Sequence, residues 1–209
     1  NHGNVLHTRV PFVMSFDRQS GVFMHLSSLP GPHGIGDLGT GASQFLEFLA
    51  EADQSLWQVC PINPTQSFHD HSPYTAPSAF AGNPLFVDLT ALVDRGYLDE
   101  TSLDDPPGDP RHVEYDRVER FKRERLQAAF ETFEASADDD ERATFEAFRE
   151  RESDWLAEYA LFAALKEQHD HQPWPEWPAD LAHRDSDALA AARESHTERI
   201  RYHAFVPWL

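Results

Sequence analysis

The sequence predicts an α/β fold in which the first β/α units are interrupted by a helical subdomain. The first third of the chain has a strand, helix and strand pattern, whereas the later part has long amphipathic helical patterns. A loop of short polar and aromatic residues follows the second predicted strand. Because α/β proteins place their sites at the carboxyl ends of strands, we expect this loop to hold a ligand.

The first β/α units are predicted within residues 14–95. Gly21 to Leu26 and Leu56 to Ile62 have the apolar character of strands, and Gly41 to Ala52 has one apolar face, as expected for a helix. A helix that connects two strands implies that the strands are parallel. Residues 1–13 begin without methionine and lack a clear period, so we expect a disordered or non-native leader and a true start near Met14.

A helical insertion subdomain is predicted over residues 96–209. It follows a short extended or helix-initiating segment at 85–89 and a brief helix that stops near Gly96. Asp138 to Glu141 is interpreted as a helix cap with solvated charge, not as a calcium loop. The chain ends on apolar residues after only a few predicted strands, so we expect it to be the N-terminal part of a longer protein. The long amphipathic helices are predicted at 113–135, 141–167 and 185–205, with a turn at Pro173 to Pro178 before the last.

The composition and charge of the chain limit its partners. The 209 residues are 40% hydrophobic, which supports a packed core, and the net charge of −19 argues against nucleic acid or anionic membrane as a partner. No apolar run reaches the roughly 18 residues of a membrane span, and no signal peptide is evident. We therefore expect a cytoplasmic protein.

Few residues suggest a metal or a redox centre. The single cysteine, Cys60, excludes an intrachain disulfide and is predicted to be a small buried residue of the second strand. His69 and His71 form a possible metal pair, but a site needs three or four converging ligands, so a polar loop is favoured. The sequence therefore predicts no metal and no cofactor.

The residues from Gly34 to Gly39 match the G-x-G-x-x-G pattern of dinucleotide-binding proteins. In that fold the first glycine follows the strand directly, and an acidic residue at the tip of the next strand binds the ribose. Here seven residues separate the predicted strand from Gly34, and the second strand ends without an Asp or Glu. The nucleotide interpretation is therefore disfavoured.

The segment Ser72-Pro73-Tyr74 carries a different chemistry. A tyrosine has a flat apolar face with a hydroxyl at its rim, which suits it to lie against a sugar ring. Alternatively, Tyr74 and Phe80 pack beneath the loop as a small apolar cluster. The residues alone leave the two interpretations open.

Several motifs in order strongly resemble the start of the 4-α-glucanotransferases, the amylomaltases. The resemblance extends from about Asp17 to Leu209. It rests on the run from Ser20 to Gly39, on Trp57-Gln58-Val59-Cys60-Pro61, on Ser72-Pro73-Tyr74, on the run from Ser78 to Pro84, on Pro173-Trp174 and on Tyr202-His203-Ala204-Phe205.

This resemblance implies the N-terminal portion of a (β/α)8 TIM barrel with a helical insertion. It implies an enzyme that transfers α-1,4-glucan segments to the 4-hydroxyl of an acceptor by retaining double displacement, with maltooligosaccharides and other α-1,4-glucans as partners. The family's catalytic carboxylates lie downstream, so no catalytic residue is assigned in this chain, and the segment alone is expected to be inactive.

Substrate-binding roles are carried over by resemblance to Tyr74, which matches the family's stacking tyrosine, and to Ser72, its polar neighbour. His25 and Asn83 are expected to shape or brace the same pocket. The sequence departs from the family pattern at Phe68-His69-Asp70-His71, where many members have a shorter loop with Gly-Asp. A non-catalytic glucan-binding module and a nucleotide-dependent oxidoreductase remain as alternatives, and the oligomeric state is left open.

The scarcity of lysine beside many acidic residues predicts that salt stabilises the folded protein. Of 17 Lys and Arg residues only Lys122 and Lys166 are lysine, against 36 acidic residues, a composition typical of proteins from salt-loving organisms. Salt screens the repulsion among surface carboxylates, so we expect the free energy of unfolding to rise between low and molar salt. Urea unfolding at a series of KCl concentrations measures this, and an unchanged midpoint would contradict a halophilic origin.

Overall fold

The structure is a computed structural model that describes residues 18–109 and 111–209. The predicted leader at 1–13 and the predicted start at Met14 lie outside the described residues. Within them, no helix combines the length and the apolarity that a membrane span requires.

A short parallel pair of strands opens the fold, as the strand and helix pattern predicts. Strand β1 (Gly21–Phe23) pairs with β2 (Leu56–Gln58), and helix α1 (Thr40–Glu51) connects them. Val22 lies opposite Trp57 in the register. The parallel orientation and the helix are therefore confirmed, but both strands are shorter than predicted.

Local hydrogen bonding explains why the strands end early. The Met24 N–H still donates to the Gln58 carbonyl at 3.0 Å, and the Trp57 indole N–H donates to the Met24 carbonyl at 2.8 Å. The chain then turns into a 3-10 helix at Leu26–Ser28. After β2, Pro61 lacks the N–H that would continue the pairing.

The remaining described elements are helical. The second and third long helices of the sequence prediction are each two helices in the structure, which is a correction. The first of them bends at Glu152 and the second at His196, where both backbones leave helical geometry. Neither predicted helix contains the proline or glycine that would signal an end. The helices are α2 (Leu89–Asp94), α3 (Tyr115–Ser136), α4 (Asp139–Arg151), α5 (Ser153–Gln168), α6 (Ala179–Ala182), α7 (Ser186–Ser195) and α8 (Thr197–Trp208).

Two predicted helix boundaries are confirmed by their caps. The Asp138 carboxylate accepts the Glu141 N–H at 2.8 Å, and the Glu141 carboxylate accepts the Asp138 N–H in return, forming a capping box. Just beyond α2, Gly96 adopts a φ of 75°, a conformation that glycine accepts without strain. The charged run at 138–141 thus starts helix α4.

Aromatic side chains fill the largest core cluster, between α2, α3, α4, α5 and α8. Phe133 and Phe205 are fully buried, and their ring centroids lie 5.1 Å apart. A second cluster packs Leu26, Ile35 and Phe86 against Val118 of α3. Helix α3 therefore contributes to both clusters and joins the first β/α unit to the helices.

A buried ion pair reinforces this junction. The Lys122 side chain on α3 is fully buried, and its Nζ donates to Asp37 Oδ2 at 2.9 Å and to the Val87 carbonyl at 2.7 Å. Burial would raise the pKa of Asp37, but His33, 3.8 Å away, and the Lys122 ammonium outweigh this and hold the pKa below its ordinary value. The carboxylate therefore remains charged inside the fold.

A second polar cluster joins α5 to α8. The Arg199 guanidinium donates two hydrogen bonds to Glu167 Oε2, at 3.0 and 2.6 Å, and His203 Nε2 lies 3.3 Å from Glu167 Oε1. Burial would raise the pKa of Glu167, but its contacts with His203 and Arg199 lower it to about 2.

The ion pair of Lys122 and Asp37 predicts that replacing Lys122 lowers the free energy of unfolding much more than replacing Lys166, the other lysine of the chain. Lys122→Met leaves the Asp37 carboxylate buried without its cation, so we expect a loss of about 3–5 kcal/mol in the free energy of unfolding. Lys166→Met is the matched control, because its ammonium makes one exposed hydrogen bond to the Gln172 carbonyl, and it should cost about 1 kcal/mol. Urea unfolding measures both, and equal losses would contradict the assigned role.

Glu167 predicts a pH-dependent contribution to stability. Because its folded pKa of about 2 lies below the ordinary 4.5, its contribution is fully present above pH 4.5 and is lost as the pH falls toward 2. The difference in unfolding free energy between wild type and Glu167→Gln should therefore shrink over this interval. Glu150→Gln, at an exposed position on α4, is the control, and a difference that stays constant with pH would refute the assignment.

Candidate functional site

A long loop between β2 and α2 carries most of the predicted site residues. Its two ends are tied together, because the Asn83 N–H donates to the Ile62 carbonyl at 2.9 Å and the Asn63 amide donates to the Ala81 carbonyl at 3.2 Å. The loop therefore leaves the carboxyl end of β2 and returns to it before the 3-10 helix Pro84–Phe86 leads to α2.

Tyr74 presents an exposed ring on this loop. The Ser72 hydroxyl accepts the Tyr74 N–H at 3.3 Å, which turns the chain so that 75% of Tyr74 is solvent accessible. The Tyr74 hydroxyl lies 3.8 Å from the Cys60 sulfur, a hydrogen bond that raises the pKa of the phenol. Ser72 and Tyr74 are thus brought together, and the ring is open to a ligand.

The burial predicted for Cys60 is wrong. Strand β2 ends at Gln58, so Cys60 lies beyond it and is only half-buried. Its sulfur instead supports the rim of the Tyr74 ring. The apolar run around Cys60 predicted a longer strand than the backbone adopts.

Phe80 is a second exposed aromatic residue of the loop. It is 71% accessible, and its ring stacks on Trp155 of α5 with centroids 6.0 Å apart. The interpretation in which Tyr74 and Phe80 pack beneath the loop is therefore wrong, since both rings lie on its surface. Sequence reasoning missed Trp155, because it lies on α5 and no motif of the loop indicates that helix.

His25 lies two residues beyond β1, at the carboxyl end of the sheet. Its ring packs edge-on against Phe86 with centroids 5.5 Å apart, and burial lowers its pKa, which favours the neutral imidazole. Its Nδ1 forms no hydrogen bond with any residue that the structure describes. His25 thus occupies the strand end that the prediction gave it, where it contacts Phe86.

Asn83 is buried, and its side chain is occupied by structural hydrogen bonds. Its Oδ1 accepts the Leu85 N–H at 3.0 Å, and its Nδ2 donates to Thr65 Oγ1 at 3.4 Å. The Thr65 hydroxyl in turn lies 3.3 Å from His71 Nδ1. Asn83 is therefore linked through Thr65 to the segment that precedes Ser72, which is the geometry of a brace.

The two histidines of the predicted metal pair point to different surroundings. His69 is exposed and contacts Phe68, whereas His71 is buried and stacks on Tyr115 of α3 with centroids 5.1 Å apart. Asp70 and His71 both have a positive φ, near 50°, which separates the two rings. His69 and His71 do not share one site.

The glycine pattern at 34–39 allows the backbone at Gly34 to pack closely against Pro107. Gly34 has a φ of 79°, and a side chain there would lie within 2.1 Å of the Pro107 carbonyl oxygen. The Asp37 carboxylate accepts the Gly39 N–H at 3.2 Å and pairs with Lys122. A phosphate at this turn would meet a buried carboxylate, which disfavours a nucleotide site.

A cavity of about 230 Å³ lies beneath the loop, between it and helices α3, α5 and α8. Thr65, Phe68 and Asn83 line it from the loop, and Tyr159 and Tyr202 line it from the helices. Burial raises the pKa of each of these tyrosines to about 12, so both remain neutral donors. The loop thus covers a cavity whose other walls are formed by helices α3, α5 and α8.

Comparison with known proteins identifies the family. A family model described as 4-alpha-glucanotransferase matches residues 24–209. The 4-alpha-glucanotransferase of Thermus thermophilus is 44% identical over 94% of this chain, and that of a Synechocystis species is 41% identical over 92%. The chain spans about 38% of the length of these two relatives.

Solved structures agree with this assignment. The amylomaltase from Streptococcus agalactiae, in complex with acarbose, matches 92% of this chain and 38% of its own, with a TM-score of 0.85 and 32% identity. The amylomaltase from Corynebacterium glutamicum matches 91% of this chain and 26% of its own, with a TM-score of 0.63, and at 17% identity it supports the fold alone. The chain therefore belongs to the 4-alpha-glucanotransferase family.

Proposed function

We propose that this chain is the N-terminal part of a cytoplasmic 4-α-glucanotransferase that transfers α-1,4-glucan segments between maltooligosaccharides. The family match over residues 24–209 supports the activity class. The observation that carries the proposal in this chain is the Tyr74 ring, 75% accessible on a loop at the carboxyl end of β2. An accessible aromatic face is the surface that a sugar ring stacks on.

In this proposal Tyr74 is the sugar platform and Ser72 its neighbouring polar contact. The hydrogen bond from the Tyr74 N–H to Ser72 Oγ sets the turn that exposes the ring. Asn83 braces the loop through Thr65, and His25, which packs against Phe86 at the end of β1, supports the same strand end. The acarbose bound by the Streptococcus agalactiae amylomaltase supports an oligosaccharide as the ligand class.

The proposed chemistry is retaining double displacement, with a carboxylate nucleophile and a second carboxyl group as acid and then base. We assign neither group to this chain and place both downstream of it. The parallel pair β1 and β2 would then be the first strands of a (β/α)8 barrel, with the barrel units at 14–95 and the helical insertion at 96–209. This chain holds the glucan, and residues outside it break the bond.

Replacement of Tyr74 tests the platform. In the complete protein, Tyr74→Ala should lower transfer between maltotriose molecules by about tenfold or more, because ring stacking on an aromatic contributes about 1–3 kcal/mol, by analogy with stacked bases. The measurement is the initial rate of glucose release at low maltotriose concentration.

Tyr74→Phe is the matched control, because it keeps the ring and removes the hydroxyl that contacts Cys60. It should retain most of the transfer rate. Wild-type turnover in Tyr74→Ala would remove Tyr74 from the site, and equal losses in both variants would assign the effect to the hydroxyl and not to stacking.

A further inference from the structure

A cluster of one imidazole and two carboxylates lies where the loop meets α3. His71 Nε2 is 3.1 Å from Asp116 Oδ1 and 3.7 Å from Glu119 Oε2. The three ligand atoms lie within 4.8 Å of one another. Asp116 and Glu119 are three residues apart on α3, which places both on one face of the helix.

The two carboxylates of this cluster share a single imidazole. The Nε2 atom of an imidazole offers at most one N–H and can satisfy only one of the two carboxylates. Within the described residues, neither Asp116 nor Glu119 forms an ion pair with a lysine or an arginine. The His71 side chain is only 5% exposed, so its imidazole faces two anionic groups from a position that water hardly reaches.

A similar cluster elsewhere in the fold shows how a lysine can balance the negative charge of converging carboxylates. His33, Asp37 and Asp88 also converge, but the Lys122 ammonium lies 2.9 Å from Asp37 Oδ2 and is attracted by Asp88 as well. That cluster already contains its cation. The cluster at His71 has the same ligand types without a lysine.

The geometry suits a tetrahedral cation. Zinc bonds of about 2.0–2.1 Å to nitrogen and oxygen place neighbouring ligand atoms about 3.3 Å apart. The two distances from His71 Nε2, 3.1 and 3.7 Å, lie on either side of that value. Asp116 is 77% exposed and Glu119 is 38% exposed, so these side chains are free to adjust and water can reach a fourth position.

A partner on the far side of the imidazole favours the ligating tautomer. His71 Nδ1 lies 3.3 Å from the Thr65 hydroxyl, whose oxygen can accept a hydrogen bond from an Nδ1–H group, and in that tautomer the Nε2 lone pair is directed at the carboxylates. Stacking on Tyr115 fixes the plane of the ring. We propose that His71, Asp116 and Glu119 bind one Zn²⁺ ion.

This site would fasten the loop to the helix. His71 directly precedes Ser72, whereas Asp116 and Glu119 belong to α3, so a metal joins two segments 45 residues apart in the chain. A ligand that binds only the folded state stabilises it, so Zn²⁺ should raise the melting temperature. The proposal concerns metal binding and does not depend on glucan transfer.

The test is calorimetric titration of the complete protein with ZnCl2 in excess Mg²⁺, which occupies the diffuse acidic surface. We expect the cluster to bind one Zn²⁺ ion in each protein molecule, and we expect bound Zn²⁺ to raise the melting temperature. Asp116→Asn and Glu119→Gln should each weaken this binding about tenfold or more and abolish the thermal shift. Both residues are accessible, so the variants should fold even if His71→Ala does not.

Two controls separate the site from general acidity. Asp99→Asn removes one exposed carboxylate elsewhere, and His69→Ala removes the neighbouring exposed imidazole. Both should bind Zn²⁺ within about twofold of wild type, a small fraction of the loss expected from removing a ligand. Asp116→Asn binding as tightly as Asp99→Asn, or His69→Ala losing as much as Glu119→Gln, would overturn the proposal.

Discussion

The fold depends on the buried contact between Lys122 and Asp37. The ammonium joins three segments at one point: the turn before α1 through Asp37, the approach to α2 through the Val87 carbonyl, and α3, on which it lies. A two-stranded sheet is marginal by itself, so the first β/α unit needs the helices as support. An ion pair of this kind contributes little net energy against an apolar replacement, but it is costly to break. The ion pair therefore determines where the first β/α unit contacts the helices, and it adds little to the net free energy of that contact.

The position of the candidate site follows from that junction. Because α3 is fixed against the first β/α unit, the loop after β2 is held between the end of the sheet and the surface of α3. Its ends are tied by Asn63 and Asn83, and its middle rests on the stack of His71 and Tyr115. The turn at Ser72 then directs Tyr74 outward, while Trp155 supports Phe80 from below. Exposed aromatic rings on a loop supported in this way are displayed to a ligand and not withdrawn into a core.

Sequence patterns predicted the elements better than their ends. The parallel strands, helix α1 and the cap at Asp138 were all predictable, because period, connection and capping are local properties. The bends at Glu152 and His196 carry no glycine or proline. They arise where helices change direction to pack in the core, with α4, α5 and α8 in the large aromatic cluster and α7 in a separate cluster with Trp177, which is a tertiary effect. The same holds for the site: the exposure of Tyr74 could be suggested from its motif, but the role of Trp155 depends on a helix about 75 residues away in the chain.

His71 shows most clearly why spacing alone misleads. The nearest candidate partner in sequence is His69, yet the positive φ values at Asp70 and His71 turn one ring outward and the other inward. The partners it meets lie on α3 and carry negative charge. Helix α3 uses its only lysine on Asp37, and the chain has 36 acidic residues against 17 basic ones, so side-chain cations are scarce wherever carboxylates converge. In a protein of this composition, cations from solution are left to balance such anionic clusters, and under the proposal of a zinc site the buried imidazole of His71 would favour a transition metal over potassium or magnesium.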